Sequence, residues 1–115
     1  MQDIKGASMN VFSKIIKGEI PCNKVYENED FLAFYDIAPK AKVHILAIPK
    51  KEIKDFNGID AKLLGKMGEF ILEVVSIAGI KESGYRLVTN IGADGRQEVP
   101  HLHFHILGGE PLGTF

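Results

Sequence analysis

The sequence predicts an α+β domain built on an antiparallel sheet, and three observations carry that expectation. Short runs rich in aromatic and β-branched residues follow one another without the regular strand–helix alternation of a parallel fold. Only one segment, residues 60–79, keeps a helical period over a long stretch. The last apolar run, from Leu102, alternates strictly with histidine, as one face of a half-buried strand would.

Each element can be justified in turn. Val11, Phe12, Ile15 and Ile16 are spaced as one face of a short helix, with Asn10 as its N-cap, Gly18 as its stop and Pro21 soon after. Residues 24–27 form a brief strand, and Asn28-Glu29-Asp30 a turn. Residues 31–35 and 43–48 are stronger strands, separated by a loop in which Pro39 disfavours helix, and Pro49 ends the second. Asp60 caps the long helix, whose stripe of Leu63, Leu64, Met67, Phe70, Ile71, Val74, Val75 and Ala78 packs on the sheet; Gly79 closes it. Residues 85–91 and 102–107 complete the strands, with a polar glycine-bearing loop at 92–97 between them, and Gly108-Gly109 breaks the last one. Residues 10–115 read as a single domain, and residues 1–9 as a flexible leader or an expression remnant.

Composition narrows the class of function. Hydrophobic residues make up 45% of the 115, charged residues 25%, and the net charge is −1, so there is no global basic field for nucleic acid or an anionic membrane. No apolar run approaches the ~20 residues needed to span a bilayer. Cys22 is the one cysteine, so neither an internal disulfide nor a cysteine-pair zinc site is available; a reducing, cytoplasmic setting suits it.

The chemistry concentrates near the C-terminus. Three of the four histidines are His101, His103 and His105, interleaved with the apolar Leu102, Phe104 and Ile106. In a strand from Leu102, entered through Pro100, the imidazoles share one face, ~6–7 Å apart, while the apolar residues turn under the helix. A lone histidine is ordinarily a surface or hydrogen-bonded residue, but three on one face call for a function that uses several imidazoles together. One such function is a metal site, although this spacing spreads ligands along the strand and only His44 lies elsewhere to help. The other is work on a phosphoryl group, because a neutral imidazole is nucleophilic near pH 7 and its neighbours can stabilise charge on phosphate oxygens. The loop at 92–97 would bring backbone donors to the same phosphate.

His101-Leu102-His103-Phe104-His105-Ile106-Leu107 resembles the histidine-triad (HIT) signature, in which three histidines alternate with apolar residues. The likeness extends to residues 12–21, 31–39, 44–51 and 108–109, and is greatest to the Hint branch, the histidine-triad nucleotide-binding proteins. The resemblance implies an antiparallel sheet of about five strands with one long and one short helix, the sheet continuing across a homodimer. It implies hydrolysis of purine nucleoside phosphoramidates, releasing AMP through a nucleotidyl-histidine intermediate, with no metal or other cofactor. His103 matches the nucleophile and His105 a phosphate contact, while His101 and His44 match supporting imidazoles. Asp36 and Ile37 match ribose and base contacts, Phe12 a wall of the base pocket, and Asn90 and Gln97 polar contacts near ribose and phosphate. Phe104, Arg96 and Glu98 fall in the same nucleotide-binding segments. Arg96 stands where the branch usually has a small residue, and Glu98 where many members have a hydroxyl, so Glu98 is expected to bind by its backbone N–H or to face away. The tail 110–115 lacks the tryptophan of some relatives, which bears on leaving-group preference. A nucleotide-binding regulatory module with incidental hydrolysis and a diadenosine polyphosphate hydrolase are the alternatives.

Overall fold

The structure, a computed structural model, describes residues 10–115; the leader expected at 1–9 lies outside the described residues. Helix α1 spans Val11–Ile16, and strands β1, β2 and β3 span Lys24–Glu27, Phe31–Tyr35 and Val43–Pro49. A 3₁₀ turn at Phe56–Gly58 leads to helix α2, Ala61–Ile77, followed by β4, Tyr85–Val88, and β5, Phe104–Gly108. The five strands form one antiparallel sheet in the order β1-β2-β3-β5-β4. The sheet with one main helix is the α+β architecture that the sequence predicts.

Both helix starts are capped as expected. Asn10 Oδ1 accepts the Ser13 N–H at 2.8 Å, and Asp60 Oδ1 accepts the Leu63 N–H at 2.8 Å. Gly18 and Gly79 follow the helices in the left-handed region, at φ 80° and 75°. The inner stripe of α2 is buried at Met67, Phe70, Ile71, Val74 and Val75. It packs with Phe31, Ala33, Ile45, Ala47, Leu102 and Ile106 from one side of the sheet.

The opposite side is also covered. Leu32, Phe34, Leu46 and Ile48 alternate with the residues under α2 and pack against Phe12 of α1, so β2 and β3 are buried on both faces. This explains why Phe31-Leu32-Ala33-Phe34 is continuously apolar. Leu46 pairs across the ladder with His105. The face under α1 is therefore the face that carries the histidines.

Two expected boundaries move. The last strand begins at Phe104, not Leu102, so His101 and His103 lie in the segment that leads into it. Pairing runs out there: Ala47 of β3 faces Phe104, Val88 of β4 faces His105, and the Leu102 N–H turns instead to the Ile53 carbonyl at 2.6 Å. For the same reason β4 ends at Val88 rather than reaching Ile91. Thr89 Oγ1 instead donates to the His103 carbonyl at 2.8 Å.

Candidate active site

A cavity of about 720 Å³ opens between α1, the end of β2, and the segments before β5. Its α1 side is apolar, with Val11, Phe12, Ile15, Ile20, Pro21 and Phe34; its other walls carry Asp36, Lys40, His44, Asn90, Arg96, Glu98, His103 and His105. An apolar pocket with convergent polar groups is the usual form of a small-molecule site.

The four histidines occupy this region with their ring nitrogens largely assigned by their partners. His101 is fully buried; its Nε2–H donates to the Pro49 carbonyl at 2.8 Å, and its Nδ1 accepts from the Asn10 side-chain amide at 3.3 Å. His103 Nδ1–H donates to the His101 carbonyl at 2.7 Å, because a carbonyl can only accept. Nε2 of His103 is thus left with its lone pair and, among the described residues, no partner. His44 Nδ1 accepts the Lys40 backbone N–H at 3.0 Å, so its proton is on Nε2 and donates to His105 Nδ1 at 2.9 Å. His105 therefore carries its own proton on Nε2. The rings of His103 and His105 meet edge to face with centroids 5.0 Å apart, and Phe12 closes on His103 at the same distance.

Burial disfavours the charged form of His44, His101 and His105. Burial pushes His105 down to about 4, helped by neighbouring His103 and His44, and it lowers His44 and His101 as well. The sign for stability follows directly. Between pH ~6.5, where the unfolded chain takes up these protons, and about 4, where folded His105 does, the unfolded state binds more protons. Stability present above that window is lost as pH falls through it. A melting-temperature series from pH 7.5 to 4 should decline across the window, and more shallowly in His105→Asn; equal slopes would contradict the assignment.

Asp36, His44 and His105 offer atoms within 4.8 Å of one another, a set that differs from the triad-based metal site weighed on the sequence. The Asp36 carboxylate lies 3.4 Å from His44 Nε2. The cluster is held by a proton rather than suited to a cation. With the Lys40 N–H on Nδ1, His44 must keep its Nε2–H, and that hydrogen occupies the lone pair of His105 Nδ1 that a metal would need.

Phe12, Asp36, Ile37, His44, Asn90, Arg96, Glu98, His103 and His105 border the cavity. Three expected contacts do not. His101 supports from behind. Phe104 points under α2 and meets Phe56, the consequence of strand alternation. Gln97 is committed to its own loop: its amide nitrogen donates to the Lys54 and Val99 carbonyls, and its oxygen accepts the Gly92 N–H. The loop also consumes the backbone N–H groups of Arg96 and Gln97, on Ala93 and Gly92, so it offers a phosphate fewer donors than expected. Glu98 is exposed at the cavity margin. Asn10, Lys40 and Thr89 were missed as site residues, since their contacts to histidine are made by a cap, a backbone N–H and a strand-end hydroxyl.

Arg96 is the one described non-glycine residue at positive φ, 60°. Left-handed backbone costs a residue with a Cβ about 1–2 kcal/mol. Arg96→Gly should raise the melting temperature by roughly 2–6 °C, after the larger chain entropy of glycine is subtracted. A lower melting temperature would show that the guanidinium stabilises the loop.

This combination of an antiparallel sheet, a covering helix and linked imidazoles on a nucleotide-sized cavity defines a histidine-triad domain. The HIT domain family description matches residues 17–112. A Helicobacter pylori protein described as an uncharacterized HIT-like protein is 65% identical over 102 residues, covering 89% of this chain and 98% of that one. The Escherichia coli purine nucleoside phosphoramidase is 46% identical over 110 residues, covering 93% and 92%. Among solved structures, a HIT family hydrolase from Legionella pneumophila superposes with a TM-score of 0.84 at 42% identity, covering 90% of this chain and 95% of that one. The chain belongs to the HIT family.

Proposed function

We propose that the protein is a hydrolase of purine nucleoside phosphoramidates that works through a nucleotidyl-histidine intermediate. The observation that carries this reading is that His103, bordering the cavity, bonds through Nδ1 to the His101 carbonyl and leaves Nε2 without a partner among the described residues, beside a His105 whose Nδ1 accepts from His44 and whose Nε2 keeps the proton. In the reaction, the His103 Nε2 lone pair forms a bond to the α-phosphorus. The phosphorus–nitrogen bond breaks, and the amine departs with its electron pair and takes up a proton from solvent. His105 Nε2–H donates to a phosphate oxygen as negative charge grows there. Water then attacks the same phosphorus and releases a proton to solvent, the bond to His103 breaks with its electron pair returning to Nε2, and AMP leaves. Neutral imidazoles suit each step, since a protonated His103 could not attack.

The apolar α1 side with Phe12 accepts the base, Asp36 accepts hydrogen bonds from ribose hydroxyls, and Ile37 and Asn90 complete that end. The relative named a purine nucleoside phosphoramidase supports the substrate class. The proposal includes a cytoplasmic homodimer joined sheet to sheet. The edge strand β4, where Leu87 is exposed, is the candidate seam. Among the described residues no helix is long and apolar enough to cross a membrane.

Intact-mass measurement within seconds of mixing with an adenosine phosphoramidate tests the reading. An AMP adduct that maps to His103 is expected. Turnover no faster than background, with nucleotide bound and no adduct formed, would favour the regulatory module instead.

A further inference from the structure

Asn10 has two hydrogen bonds that ask for opposite ends of its side chain. Oδ1 caps α1 by accepting the Ser13 N–H at 2.8 Å, which turns Nδ2 toward His101 Nδ1, 3.3 Å away. An amide nitrogen can only donate, so His101 Nδ1 must be the acceptor and Nε2 must hold the proton that goes to Pro49. The His101 carbonyl in turn takes the Nδ1–H of His103. Phe12 of the same helix packs edge-on against both rings. The start of α1 is thereby wired to the ring with the free lone pair.

We propose that Asn10 is a positioning residue for the reaction: it fixes the neutral Nε2–H tautomer of His101 and, through the His101 backbone, the orientation of His103. The inference rests on His103 being the nucleophile. Ser and Asp cap helices about as well as Asn, but neither supplies a nitrogen donor to His101. The choice of residue is therefore explained by the histidine and not by the helix. Charged or titratable groups that act on His101 are Glu52 and His103. A carboxylate at position 10 would place acceptors on both ring nitrogens and draw a proton onto a ring with no solvent exposure.

The test compares full-length wild type, Asn10→Asp and Asn10→Ser. Measurements are melting temperature, ¹⁵N histidine spectra at neutral pH, and kcat and KM on an adenosine phosphoramidate. Both variants should melt within a few degrees of wild type. Asn10→Asp should give His101 the spectrum of an imidazolium. Each variant should lower kcat by roughly tenfold, the scale of one lost hydrogen bond, with KM little changed. An unchanged kcat, or an Asn10→Asp His101 spectrum identical to wild type, overturns the proposal; Asn10→Ser decides the kinetic arm even where Asp impairs folding. A wild-type protein without turnover would overturn the catalytic reading itself, and the spectra would still decide whether Asn10 sets the tautomer.

Discussion

His103→Ala should reduce turnover of an adenosine phosphoramidate by at least about 10³-fold while AMP still binds within a few-fold of wild type. The expectation comes from what the substitution removes. The His103 Nε2 is, among the described residues, the imidazole nitrogen of the site left with a lone pair and no partner, so it can form a bond to phosphorus. The neighbouring nitrogens are engaged: His44 donates to His105, His105 accepts on Nδ1, and His101 is bonded at both positions. No second imidazole can take over without breaking one of those bonds. Loss of a nucleophile typically removes several orders of magnitude, and what remains comes from binding and charge stabilisation. Most of the nucleotide surface would rest on groups the substitution leaves in place, including Phe12, Phe34, Asp36 and Ile37. Steady-state kinetics and calorimetric AMP titration separate the two effects. A variant that turns over at the wild-type rate would remove His103 from the chemistry.

The alternation at 101–106 was legible because side-chain direction along extended backbone is a local property. His103 and His105 do share a face, and Leu102 and Ile106 do turn under α2. The environment of that face was not legible. The pattern reads as the open face of a half-buried strand, yet α1 lies over it and His101 and His103 are buried. That covering depends on a contact between residues about ninety positions apart, Asn10 with His101, which no local pattern encodes. The start of β5 failed for a related reason. Histidine and apolar residues alternate from position 101, but a strand needs a partner, and the ladders with Ala47 and Val88 end at Phe104 and His105. Gln97 shows the limit of carrying roles over from a resemblance: its residue type fits a phosphate contact, but its amide is spent on the loop. Asp36, the residue after β2, borders the cavity and stands 3.4 Å from His44 Nε2.

Leu102→Ala should cost about 2–5 kcal/mol of stability, the range for emptying a buried leucine site. Leu102 lies between two of the histidines but faces the other way, 1% exposed, in the core built by Met67, Phe70 and Val74 of α2 and by Ile53. Its backbone N–H is tied to the Ile53 carbonyl, so the chain on either side has little freedom to close over a cavity. A domain of this size has only some 5–15 kcal/mol in total, so the melting temperature should fall by roughly 10–25 °C. Leu102→Met keeps the volume and should cost under about 1.5 kcal/mol. The pair separates packing from chemistry: well below its melting temperature, the alanine variant should still form the nucleotidyl adduct on His103, because the hydrogen bond that sets that ring runs through the His101 carbonyl and not through the leucine side chain. An alanine variant as stable as wild type would mean that the stretch before β5 is not anchored in the core, and the histidine geometry that depends on that anchor would have to be redrawn.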